Sequence, residues 1–204
     1  MMKKILISCI ALCLMAGISS ATLTANALAT APVNEGNSIA DTSAIVATWI
    51  DAGYDPDYLT TSAATKSLML DYWQNDAYLL LNNNIGHINT AASHGSPAYG
   101  VYAYNNNQIT STEINDLDPY QGLASSYIFM NGCNSYQNPL RSAFKVNNIN
   151  MYIGGVTLLP LYDSEDTAAD FWDFFLIQGL EPADALSNAV ALHGTGGMYG
   201  ILMP

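Results

Sequence analysis

Short apolar runs ending in glycine-containing turns, alternating with stretches of helical periodicity, predict an α/β fold for this chain. Two runs carry the strand half of that prediction. Residues 126–130 (Ser-Tyr-Ile-Phe-Met) read as a buried strand ending at Asn131-Gly132-Cys133, and residues 151–156 (Met-Tyr-Ile-Gly-Gly-Val) as another. The third observation is helical. Ile45, Val46, Trp49 and Ile50 fall on one helical face, and Leu68, Met69, Tyr72 and Trp73 repeat the same spacing.

The N-terminus comes first because it changes the later counts. Lys3 and Lys4 precede an apolar run from Ile5 to Ile18, after which small residues take over. Ala25-Asn26-Ala27 fits the small-x-small cleavage pattern of a secretory signal peptide, with Ser19-Ser20-Ala21 as a second option. The run is shorter than the roughly 20 apolar residues that a membrane span needs. Leu6-Ile7-Ser8-Cys9 resembles a lipoprotein box but sits too early, since the apolar run continues past it. The expectation is a signal peptide over 1–27, a lead-in over 28–40, one domain over 41–204, and a secreted product with no membrane anchor in its mature form.

Along that domain, Asp41-Thr42-Ser43 can cap a helix running to about Ala52, which Gly53 ends. Residues 54–61 read as a connection with room for a short strand, and 63–80 as a second helix. Residues 85–92 (Ile-Gly-His-Ile-Asn-Thr-Ala-Ala) make a strand that runs into Ser93-His94-Gly95. Residues 100–104 and 108–110 suggest a hairpin around Asn105-Asn106-Asn107. Residues 112–123 are polar and turn-rich, with one helical turn at most. Helices are expected over 139–146, 166–178 and 182–192, with a loop through Asp163 after the third strand and Gly179 between the last two helices.

Composition narrows the function. The full chain has 17 acidic and five basic residues, and loss of residues 1–27 would leave only Lys66, Arg141 and Lys145 as basic ones. Such a surface repels phosphate backbones, which argues against nucleic acid and anionic membranes as partners. The same loss would remove Cys9 and Cys13, so Cys133 would stand alone. Exported proteins use cysteines mostly in disulfides, and a lone thiol is either a small buried hydrophobe or a reactive group.

Two candidate catalytic residues follow strands. In open parallel sheets ligands bind beyond the carboxyl ends of the strands, and His94 and Cys133 are both expected there, each beside a glycine. A histidine within reach of a thiol can take its proton and generate the nucleophilic thiolate. His87, seven residues earlier within the strand, reads as structural, and His193, before Gly194, as a cap at a helix end. No Cys-x-x-Cys or His-x₃₋₅-His spacing supports zinc, and no EF-hand loop supports calcium. Gly194-Thr195-Gly196-Gly197 follows a helix instead of a strand, so it is no phosphate cradle, and no Gly-x-Ser-x-Gly elbow is present.

The order strand–Ser93-His94-Gly95, hairpin, strand–Asn131-Gly132-Cys133-Asn134-Ser135, helix, strand–Gly154-Gly155-Val156, acidic segment, helix resembles the caspase-like (clan CD) cysteine peptidases. The downstream run Gly179-Leu180-Glu181-Pro182-Ala183-Asp184-Ala185-Leu186 looks like the tail of the same group. Within the group the match is most similar to the CHAT-domain, separase-like branch, with clostripain and gingipain types as cousins, and it runs from about Ile85 to Val190.

The resemblance implies a three-layer α/β/α fold with a mostly parallel central sheet. It implies a cysteine endopeptidase acting on protein or peptide substrates, with Cys133 as nucleophile and His94 as general acid/base. The backbone N–H groups of Gly95 and Cys133 would form the oxyanion hole. No cofactor is expected; calcium, which some relatives use, has no support in the residues. Basic-specific relatives carry an aspartate two positions before the cysteine, where this chain has Asn131. Asp163, Glu165 and Asp166 are the other candidates for substrate binding, and equally a capping cluster for the next helix. The strand that such a fold places before the helix at 41–52 has no apolar run to represent it, unless residues 30–40 supply it. A catalytically silent peptide- or surface-binding module of the same fold is the alternative reading.

Overall fold

The computed structural model describes residues 26–31, 36–75, 79–83, 100–104, 107–121 and 123–204. Its strands are β1 (Asn26–Ala31), β2 (Asp55–Thr60), β3 (Leu79–Asn83), β4 (Gly100–Tyr102), β5 (Gln108–Thr110), β6 (Tyr127–Asn131), β7 (Met151–Gly155) and β8 (Tyr199–Leu202). Its α-helices are α1 (Gly36–Asp51), α2 (Lys66–Asn75), α3 (Ser111–Asn115), α4 (Leu140–Lys145), α5 (Leu161–Trp172) and α6 (Pro182–His193). Six strands form one sheet in the order β2-β1-β3-β6-β7-β8, and β4-β5 form a separate antiparallel hairpin. The β1–β2, β1–β3, β3–β6 and β6–β7 pairings are parallel, and β7–β8 is antiparallel.

Side chains alternate across a strand, and here the alternation sorts the core into two clusters. Ile128, Met130 and Tyr152 pack with Met69 and Trp73 of α2, Ile114 of α3, and Leu140 and Phe144 of α4. Phe129, Met151 and Ile153 pack with Ile45 and Trp49 of α1, Phe171 and Trp172 of α5, and Ala185 and Leu186 of α6. Helices therefore cover both faces of the sheet. That arrangement explains why β6 and β7 read as continuous apolar runs without polar alternation.

Three expectations from the sequence change. The lead-in over 28–40 holds most of β1 and the start of α1, so ordered structure begins well before residue 41. The stretch Asn-Ala-Leu-Ala-Thr-Ala lacks the β-branched and aromatic residues that announce a strand. Its small side chains suit the site, because buried Ala27 and Ala29 share a cluster with the bulky Ile45 and Trp49 of α1. The helix expected over 63–80 stops at Asn75, and the Leu79-Leu80-Leu81 run enters β3 between β1 and β6. A short apolar run satisfies either a buried strand or a helix, and only the pairing on both sides decides.

The acidic segment after β7 is not a loop: α5 begins at Leu161, directly after Pro160 in extended conformation. A π-helical turn, Asp173–Ile177, then completes the helix expected over 166–178. Strand β8 had no signal in the sequence. The expected strand over 85–92, with His87, lies outside the described residues.

Elsewhere the polar stretch after β5 forms α3 through a capping box. The Thr110 hydroxyl accepts from the Glu113 N–H at 3.2 Å, and the Glu113 carboxylate accepts from the Thr110 N–H at 2.9 Å. The Lys66 ammonium donates to the same carboxylate at 2.7 Å and to the Gln108 carbonyl at 2.8 Å. The Lys66 hydrogen bond, with that of Thr110, holds the Glu113 carboxyl below its ordinary range.

Candidate active site

Strand β6 ends at Asn131, paired in register with Asn83 at the end of β3. The chain then reverses through Gly132, Cys133 and Asn134, and Asn134 takes the left-handed conformation at φ 56° that asparagine tolerates. Backbone bonds close the turn, from the Gly132 N–H to the Met130 carbonyl at 2.9 Å and from the Ser135 N–H to the Gly132 carbonyl at 3.2 Å. This puts Cys133 beyond the carboxyl end of an interior strand, where the sequence predicts it.

The turn is tied to β7 by one backbone bond and by two side-chain hydroxyls. The Ser135 hydroxyl lies 2.7 Å from the Gly132 carbonyl and accepts the Gly155 N–H at 2.9 Å. The Tyr136 N–H donates to the Gly155 carbonyl at 2.9 Å, and the buried Tyr152 hydroxyl donates to the Ser135 carbonyl at 2.6 Å. Such close approach requires glycine at the end of β7. A Cβ on Gly155 would lie 2.6 Å from the Gly132 carbonyl oxygen and 3.0 Å from Leu159 Cδ1. Gly155→Ala is therefore expected to displace the cysteine turn and to cost about 1–3 kcal/mol, the usual range for overpacking, measured by urea unfolding. Gly200 has a matching role on β8, since a Cβ there would meet the Tyr136 ring at 2.5 Å.

Beyond β7, the segment to α5 closes over the thiol. The Asn134 N–H donates to the Thr157 carbonyl at 3.0 Å, and the Leu159 N–H donates to Cys133 Sγ at 3.3 Å. Cys133 is a free cysteine with 9% of its surface exposed. Among the described residues no hydrogen bond engages its own N–H. Two exposed apolar side chains, Leu158 and Tyr162, flank the segment that donates to the sulfur.

The remaining candidates separate. Asn131 is buried, donating from its amide to the Ser164 carbonyl at 3.0 Å and accepting from the Tyr199 hydroxyl at 2.6 Å. That clamp joins β6, α5 and β8 behind the cysteine turn. Glu165 is fully buried, whereas Asp163 and Asp166 are exposed, so the three acids form no single cluster. Asp163 lies in the first turn of α5, where it suits the helix dipole, and Asp166 faces His193 at 4.0 Å. Burial drives the Tyr199 phenol well above its usual range; the hydrogen bond to Ser164 lowers it, and charge on Cys133 and Glu165 raises it further.

His193 ends α6 as expected, yet its ring ties α6 to α5, with Nε2 2.7 Å from Asp170 Oδ2. His94 and Gly95 lie outside the described residues, in the stretch 84–99 that follows Asn83. Among the described residues no group of three or more His, Cys, Asp or Glu could hold a metal ion, and no helix is long and apolar enough to cross a membrane. The sequence reading missed Tyr199 and Tyr152, because a tyrosine used as a buried tie looks no different from one used as core.

The strands and helices define an α/β domain with a cysteine at the carboxyl end of an interior strand, and the fold is one found in solved structures of separase. Two crystal structures of the Saccharomyces cerevisiae separase–securin complex contain chains with this fold. One aligns at a TM-score of 0.61 and 12% identity over 89% of this chain, the other at 0.58 and 13% over 88%. In both, the aligned region is 12% of the other chain, so this chain spans only a small part of the proteins it resembles. At such identity the likeness concerns the fold. No protein-family model and no curated protein matches the sequence.

Proposed function

We propose that the protein is an exported cysteine endopeptidase, of the CHAT-domain, separase-like type. The observation that carries this reading is the setting of Cys133, on a turn pinned by backbone bonds at the end of β6, its sulfur facing the Leu159 N–H. His94 takes the thiol proton, and the sulfur attacks the scissile carbonyl carbon. The oxyanion that forms is held by the N–H groups of Cys133 and Gly95. The imidazolium then protonates the departing amine, leaving a thioester. Water, deprotonated by the same imidazole, hydrolyses the thioester and restores the thiol.

Substrates on this reading are polypeptides. Of the three acidic candidates, Glu165 is the buried one, and on this reading it would pair a basic substrate side chain only if that side chain entered the interior. Asp163 and Asp166 would act only at the exposed rim, and Asn131 would shape the pocket floor through its clamp. Export rests on Lys3, Lys4, the apolar run Ile5–Ile18 and the small residues after it.

The low exposure of Cys133 and its engagement by Leu159 favour a second reading, a silent peptide-binding module of the same fold. Iodoacetamide separates the two. In the enzyme, native Cys133 alkylates at pH 7 faster than in the urea-unfolded chain, by roughly tenfold or more, and His94→Ala removes the advantage. A thiol that reacts only after unfolding leaves the binding module.

A further inference from the structure

We infer that the leader peptide is cut after Ala21, leaving Thr22 as the first residue of the mature chain. The inference rests on the export reading above. Small-x-small triplets end at several positions after the apolar run; Ser19-Ser20-Ala21 and Ala25-Asn26-Ala27 are the two nearest it that fit the pattern well, and Ala27-Leu28-Ala29 and Ala29-Thr30-Ala31 lie still deeper in β1. The sheet distinguishes them.

Strand β1 starts at Asn26 and lies inside the sheet, hydrogen-bonded to β2 on one side and β3 on the other. A cut after Ala27 would remove the register pairs Asn26–Asp55 and Ala27–Pro56 with β2, and Ala27–Leu79 with β3. It would also remove the buried Ala27 side chain from the cluster beneath α1. The new terminus would be worse still. Its ammonium would sit at Leu28, in register with Asp57 on one side and Leu80 on the other, in an interior strand beneath a helix layer. A charge there loses hydration that it keeps in a free terminus. A cut after Ala21 leaves Thr22–Ala25 ahead of β1 and keeps every pairing. Leader removal precedes folding, so β1 does not shield the second site from the peptidase. What decides is that only the first cut yields a chain able to complete its sheet.

The test is expression of the full chain with its own leader in a secreting bacterial host, followed by intact mass and N-terminal sequencing of the exported protein. A product beginning at Thr22 is expected. A product beginning at Leu28 overturns the assignment while leaving export intact, and an uncleaved chain beginning at Met1 overturns the export reading and the assignment with it. Ala21→Trp, a change outside β1, is expected to abolish the mature form. Continued release of a mature chain from that variant, starting at Leu28, overturns the assignment as well.

Discussion

Cys133→Ala is expected to abolish peptide-bond hydrolysis, by at least about 10³-fold, because removal of a nucleophile eliminates the covalent route and leaves only binding and oxyanion contacts. The fold should survive. The cysteine turn is held by Ser135, Tyr136 and Asn134 through bonds to Gly155 and Thr157, and the sulfur contributes a single contact from the Leu159 N–H. Alanine therefore loses one weak acceptor and a little packing, on the order of 1 kcal/mol. A positional-scanning library of fluorogenic peptides measures the activity of both forms, and circular dichroism measures the fold. Full activity in the alanine variant would eliminate the mechanism; loss of the native spectrum would mean that the residue is part of the core.

The largest expected effect on stability is that of Trp172→Ala. Trp172 is wholly buried at the end of α5, edge-on to Trp49 of α1 at 5.1 Å and against Phe171 at 5.1 Å. It joins two helices over the same face of the sheet. Among the described residues its indole N–H has no hydrogen-bond partner, so the loss is one of packing. Truncating a buried tryptophan costs about 3–5 kcal/mol, which lowers the melting temperature of a chain this size by on the order of 10 °C. Trp172→Phe, which keeps a ring against Trp49, should recover more than half. Thermal and urea unfolding check both variants, and a loss below about 1 kcal/mol for alanine would show that α1 and α5 repack without it.

Much of the fold was legible because β6 and β7 are short, nearly continuous apolar runs closed by glycine, and because α1, α2 and α6 carry apolar residues at helical spacing. The cysteine turn was legible for the same reason, since it follows β6 directly. Strand β1 was not. Its alanines have low strand preference, and they suit the position only because Trp49 and Ile45 lie above them. Strand β8 was hidden by Gly200, which weakens a strand taken alone and is demanded here by the Tyr136 ring.

By itself the sequence determined where the thiol stands in the chain, that a strand delivers it and that a glycine follows that strand. These are local properties, set by periodicity and by residues that punctuate a backbone. The tertiary structure alone decided what surrounds the sulfur. It divided Asp163, Glu165 and Asp166 between the surface and the interior, turned Asn131 into a clamp with Tyr199, and brought the Leu159 N–H to Cys133 across a gap of 26 residues. Those contacts join segments with no sequence relation to one another. They exist only because the sheet gathers the ends of distant strands, with the start of the antiparallel β8, on one rim.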